Sequence, residues 1–163
     1  MRFLGLDPGL TATGWGVVEA RGNELVHVAD GTVKPDPSAS MGARLRALHE
    51  GLARIIAEYA PDEAAVEETF VNRNAASALR LGQARGVVLL APALAGIVVA
   101  EYPATTVKKS VVGAGHAAKQ QVGMMVRTLL PGSACLTEDA ADALAVAICH
   151  AHYSRTRKVW VAA

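Results

Sequence analysis

The sequence predicts an α/β domain built on a mixed five-stranded sheet, three antiparallel strands followed by two parallel ones, with helices on both faces. Three observations lead there. The chain opens with three short apolar runs separated only by turn residues; the following segments alternate helical and strand periodicity; and 163 residues suffice for one core but not for two ordinary ones.

Taken in order, residues 2–7 are an apolar run closed by Pro8-Gly9, and 14–20 form a second after a turn rich in threonine and glycine. Gly22-Asn23 turns the chain into a third run over 25–34, which completes an antiparallel meander. A polar loop over 35–40 follows. Met41, Leu45, Leu48, Leu52, Ile55, Ile56 and Tyr59 then recur at three-and-four spacing, the pattern of an amphipathic helix that Pro61 stops. Residues 63–68 read as a strand ending in acid, 72–95 as a long helix that turns apolar near Val87, and 97–102 as the fifth strand.

Beyond Pro103 come residues 105–112 and a Gly113-Ala114-Gly115 turn. A helix carried by Val122, Met125, Val126, Leu129 and Leu130 ends at Pro131-Gly132. A last helix runs from about Glu138 into the region 149–153, with Thr137 as its cap and acids in its first turn. The order is βββ-α-β-α-β followed by two helices, the strand order of the ribonuclease-H-like fold. One domain over 1–153 and a short tail over 154–163 are expected.

Composition narrows the function classes. With 52% hydrophobic and 19% charged residues the chain is neither disordered nor fibrous. The longest apolar stretch, 87–100, is too short to span a bilayer and contains Pro92 and Gly96. The first residues lack the apolar segment of a secretory leader, and Cys135 and Cys149 have no metal-type spacing, which reads as two packed, reduced thiols. The expectation is a cytoplasmic protein. Charge is divided unevenly: residues 1–72 carry six Lys/Arg against eleven Asp/Glu, whereas 73–163 carry ten against four. Such asymmetry suits a polyanion-binding surface made mostly by the second half, although a solvated basic face gives the same count.

Asp7 and Glu67 end apolar runs where a side chain would otherwise join the core. Burying an acid there is costly unless a cation or hydrogen bonds compensate it. Asp139 and Asp142, spaced i, i+3, project from one face of the last helix. Hard cations such as Mg²⁺ and Mn²⁺ take oxygen ligands, and a two-metal site about 4 Å across needs several carboxylates converging from different elements. Taken singly, each acid also reads as a turn or solvated helix residue.

The motifs settle between these readings. Leu4-Gly5-Leu6-Asp7-Pro8-Gly9 with Thr13-Gly14-Trp15-Gly16-Val17, then Val66-Glu67-Glu68-Thr69-Phe70, the run from Asn74 through Leu79-Arg80-Leu81-Gly82-Gln83-Ala84-Arg85-Gly86, Val107-Lys108, Ala118-Lys119, Met125-Val126-Arg127 and Asp139-Ala140-Ala141-Asp142-Ala143-Leu144-Ala145 resemble, in order, the RuvC family of Holliday-junction resolvases. The resemblance implies a homodimeric ribonuclease-H-like endonuclease. It would nick two like-polarity strands of four-way junction DNA symmetrically, leave 5′-phosphate and 3′-hydroxyl ends, and work with a branch-migration complex of the RuvA and RuvB type. It makes Asp7, Glu67, Asp139 and Asp142 the catalytic ligands of two Mg²⁺ or Mn²⁺ ions. Lys108 and Lys119 become contacts near the scissile phosphate, and Phe70 an aromatic stacked at the opened junction centre.

Arg73, Asn74 and Arg80 open the next helix beside the acids and read as phosphate-positioning groups or as ordinary surface residues. Gly113-Ala114-Gly115 reads as a phosphate-contacting loop. His150 and His152 read as packing or solvated histidines rather than ligands, and His116 as a residue near the DNA. Glu68 stands where family members often carry an amide; as a strand neighbour of Glu67 it faces the opposite way. The helix beginning near Asn72 is the candidate dimer surface. Three other readings compete: half of an actin-like ATPase, from the Gly5-Leu6-Asp7-Pro8-Gly9 turn; a junction binder without catalysis; and a nuclease of RNA–DNA hybrids.

Overall fold

Three consecutive strands, β1 (Arg2–Asp7), β2 (Thr13–Arg21) and β3 (Glu24–Val33), form the meander that the short turn segments predict. The computed structural model describes residues 1–68, 74–133 and 137–161, the side chains of 155–161 excepted. Helix α1 (Met41–Tyr59) leads into β4 (Glu63–Glu68), and α2 (Ala75–Leu94) into β5 (Val98–Pro103). The chain closes with α3 (Ala104–Val112), α4 (Lys119–Leu129) and α5 (Glu138–Val161). The sheet order is β3-β2-β1-β4-β5, antiparallel across β1–β2–β3 and parallel from β1 through β4 to β5, so the expected fold class is the one found.

Two differences from the sequence reading concern the end of the chain. Residues 105–112 belong to a helix, so three helices rather than two follow β5. The run of threonines and valines there has weak helix propensity, and burial of Val107 and Val111, one turn apart, outweighs it. Gly113, at φ 86°, then caps this helix by donating its N–H to the Lys109 carbonyl. Helix α5 also continues to Val161, since no glycine or proline interrupts 138–161.

Strand alternation distributes the core. Leu4, Leu6, Val17, Ala64 and Val66 face Leu48, Leu52 and Val88 of α1 and α2. Phe3, Val18 and Ala65 face Val107, Val126, Leu144 and Ile148 of the other layer. Ser40 caps α1 by accepting from the Ala43 N–H at 3.3 Å, and Asn74 caps α2 by accepting from the Ala76 and Ser77 N–H groups.

Helix α5 is the centre of the second layer. Ala140, Ala141 and every residue from Ala143 to Ala151 are buried, a helix sealed all round rather than on one stripe. It lies unusually close to the sheet because β1 and β2 present glycine. A Cβ on Gly5 would stand 2.0 Å from the Ala143 carbonyl oxygen, and one on Gly14 would stand 2.0 Å from that of Asp139. Both strands therefore need the missing side chain for backbone to reach backbone. Gly5→Ala is expected to lower the unfolding free energy by about 3 kcal/mol, read as a fall in the urea midpoint at unchanged m; an unchanged midpoint would show that α5 tolerates displacement.

Candidate active site

Register brings the first two acids together. Leu6 of β1 pairs in parallel with Val66 of β4, which sets Asp7 beside Glu67 at the carboxyl ends of neighbouring strands. Both share the parity of Gly5 and Ala65 and so project toward α5, while Glu68 shares the parity of Val66 and turns to the other face.

The turn after Asp7 is pinned from within. Buried Thr13 donates its hydroxyl to the Gly9 carbonyl at 2.7 Å and accepts from the Gly9 N–H at 3.2 Å. From α1, Arg44 donates to the Leu10 carbonyl at 3.3 Å. Arg44 did not stand out in the sequence, and Thr13 stood out only as part of the Thr13-Gly14-Trp15-Gly16-Val17 motif, with no role in the turn.

Helix α5 delivers Asp142. Thr137 caps it as expected, accepting from the Ala140 N–H at 3.2 Å, with Glu138 and Asp139 in the first turn. Helix α3 supplies Lys108 and α4 supplies Lys119, whose Nζ donates to Asp142 Oδ2 at 3.1 Å. Asp7, Glu67, Asp142, Lys108 and Lys119 line one cavity of about 140 Å³, floored by Val107, Val122 and Ala145.

The electrostatics follow from that crowding. Burial pushes the Asp7 carboxyl up to about 7, with Glu67, Asp142 and Asp139 adding repulsion and Lys119 opposing it. Glu67 is raised for the same reasons, burial first and Asp142 second, against the pull of Lys108 and Lys119. Lys119 is raised chiefly by its hydrogen bond to Asp142. Asp139 acts on Asp7 through charge without lining the cavity.

Among the described residues no three His, Cys, Asp or Glu side chains stand at ligating distance of one point. The acids surround the space rather than close on it, as like charges do when only lysines offset them. An all-oxygen donor set, buried and crowded so that the Asp7 carboxyl is pushed up to about 7, fits a hard divalent cation.

Of the other residues singled out by sequence, Phe70, Arg73 and Cys135 lie outside the described residues. Asn74 and Arg80 are exposed on α2, and Asn74 is engaged as the helix cap. Gly113 is a helix cap. His150 is buried, its Nδ1 2.9 Å from the Tyr102 hydroxyl and its Nε2 2.9 Å from Glu63 Oε2, a packing histidine as expected. His152 is exposed beside Ser110, and His116 is exposed. Cys149 is a buried free thiol pushed up to about 11 by burial. No helix among the described residues is long and apolar enough to cross a membrane.

A mixed sheet in this order, with acids at the ends of its first and fourth strands and on the closing helix, defines a ribonuclease-H-like nuclease. The family model described as crossover junction endodeoxyribonuclease RuvC matches residues 3–150. The chain belongs to that family. It is 65% identical over 158 residues to the RuvC of Paramagnetospirillum magneticum, covering 97% of this chain and 95% of that one. It is 67% identical over 153 residues to the RuvC of Rhodospirillum rubrum, covering 94% and 90%. Its fold is similar to that of T. thermophilus RuvC in complex with a Holliday junction substrate, with TM-score 0.88, 37% identity and 96% of both chains covered.

Asp7 ties stability to pH. A carboxyl whose pKa rises from its ordinary 3.8 to about 7 on folding binds its proton better in the native state, so metal-free protein loses stability as pH rises through that window. The loss is expected to be roughly 2–4 kcal/mol. Thermal melts between pH 4 and 8 in chelator should show a falling midpoint, and Asp7→Asn should remove most of the slope; a flat profile in the parent protein would contradict the crowding.

Proposed function

We propose that this chain resolves four-way DNA junctions by cation-dependent hydrolysis, with Asp7, Glu67, Asp139 and Asp142 holding two Mg²⁺ or Mn²⁺ ions. One observation carries the reading. Acids from three elements far apart in sequence converge in one cavity beside two lysines, an arrangement that repels a phosphate unless cations are present.

When bound, the ions supply the positive charge that activates a water and stabilises the leaving 3′ oxygen. Asp7 and Glu67 fix the position of the ions from the rigid sheet, while Asp139 and Asp142 approach from α5. Lys108 and Lys119 contact the backbone around the cut. A water gives up one proton to solvent as its oxygen bonds to phosphorus and the bond to the 3′ oxygen breaks; the departing oxygen takes a proton from solvent, which leaves a 5′-phosphate and a 3′-hydroxyl. Phe70 stacks on an unpaired base at the junction centre, and Arg73, Asn74 and Arg80 hold neighbouring phosphates.

One such site cuts one strand, so symmetric resolution needs two copies about a twofold axis. The surface of α2 supports that pairing: Leu79, Leu90 and Leu94 are 67%, 50% and 66% exposed, and Gly82 and Gly86 on the same face have open space around them. Working beside a branch-migration complex of the RuvA and RuvB type, the dimer acts on DNA in the cytoplasm.

Given Mg²⁺ or Mn²⁺ together with an immobile synthetic junction, a linear duplex and an RNA–DNA hybrid, the protein is expected to make paired nicks in the junction alone. Asp7→Asn should abolish cutting while junction binding survives. Equal cutting of the linear duplex would remove junction specificity, and an active Asp7→Asn would remove the mechanism.

The dimer face has its own test. Leu90→Glu is expected to give a monomer by sedimentation and to convert paired nicks into single ones. A dimer that persists would put the twofold contact elsewhere.

A further inference from the structure

Beside the acid cavity lies a second cleft of about 170 Å³, lined by Lys119, Gln120, Gly123, Arg127, Thr137, Glu138, Ala141 and Asp142. The two cavities share Lys119 and Asp142, so that ion pair is the wall between them. Residues 119, 123 and 127 recur at i, i+4 and i+8 along one stripe of α4, and Val122 and Val126 form the buried stripe beside it. Gly123 leaves that face bare, and the Arg127 guanidinium lies back over it, with Nη2 3.8 Å from where a Cβ would stand.

Arg127 is exposed and makes no ion pair or hydrogen bond among the described residues. Thr137, facing it across the cleft, accepts from the Ala140 N–H and keeps its own hydroxyl hydrogen to donate. Lys119 and Arg127 are spaced about 12 Å along the helix axis. A nucleic-acid strand advances about 3.4 Å per nucleotide. That span corresponds to about three to four nucleotides.

We propose that this cleft seats a backbone phosphate flanking the cut, with Arg127 as the positioning residue that fixes the strand's register over the acids. This inference rests on the nuclease reading above. Within the cleft Asp142 is engaged by Lys119, which leaves Glu138 as the acid that opposes the phosphate. Arg127 places the strand and takes no part in the bond-making step.

Three variants and one chemical modification of the DNA test it. Arg127→Gln is expected to weaken junction binding in Ca²⁺ about ten-fold and to flatten the dependence of log K on log salt by about 1.4–1.8, one phosphate contact in each of the two protomers. Arg127→Lys should restore the slope, and Glu138→Gln should tighten binding. In single-turnover cutting with saturating enzyme, a neutral methylphosphonate is moved through the four linkages on each side of the cut. At one linkage it should slow the parent protein about ten-fold and slow Arg127→Gln no further.

Losses that multiply at every linkage, or an unchanged salt slope with Arg127→Gln folded by its melting curve, would overturn the seat while leaving the nuclease reading intact. A parent protein that fails to cut the unmodified junction would overturn both.

Discussion

Carboxylates repel one another, and the architecture of this chain is arranged to hold them together anyway. The force that does so is distributed along α5, whose buried alanines, leucine and isoleucine press it onto β1 and β2 at the two strand glycines. Close packing of backbone on backbone gives the helix one depth and one rotation. Asp142 is thereby brought to the strand-end acids, and the Asp7 carboxyl is pushed up to about 7, chiefly by burial, then by Glu67 and then by the Asp142 charge. The site is a strained electrostatic arrangement held by an unstrained apolar one, which is how functional sites commonly depart from the stability optimum.

Lys119 fills an intermediate role in this balance. Its ammonium meets one oxygen of Asp142 and offsets the charge on both Asp7 and Glu67. With Lys119 opposing the shift, the Asp7 carboxyl still stands at about 7, so the demand for a stronger cation persists. On the proposed mechanism the same lysine turns toward DNA once that demand is met.

Much of this was legible in the residues. The meander followed from turn residues at short intervals, the parallel half from helical periodicity between apolar runs, and the acids from their position at the ends of those runs. Thr137 as a cap and His150 as a packing residue were readable from local chemistry alone. Helix α3 was not, because Thr105, Thr106 and the valines favour extended backbone and only tertiary burial overrides them. Arg44 was missed, and Thr13 and Arg127 were read only as parts of motifs without a role, for a related reason: each acts through a neighbour that folding supplies, the β1–β2 turn for Arg44 and Thr13 and a bare glycine for Arg127. Asn74 shows the converse, a residue read for its reach toward phosphate that is also the cap of α2.

The sealed surface of α5 has a consequence for how the family can vary. An added or deleted residue between Asp139 and Ala143 would rotate everything on one side of it by about 100° relative to the other. It would carry an acid away from the strand ends or a large side chain into the glycine trough. The packing of this chain therefore tolerates length changes only in the segments joining the elements, and exchanges along the buried helix only at similar volume.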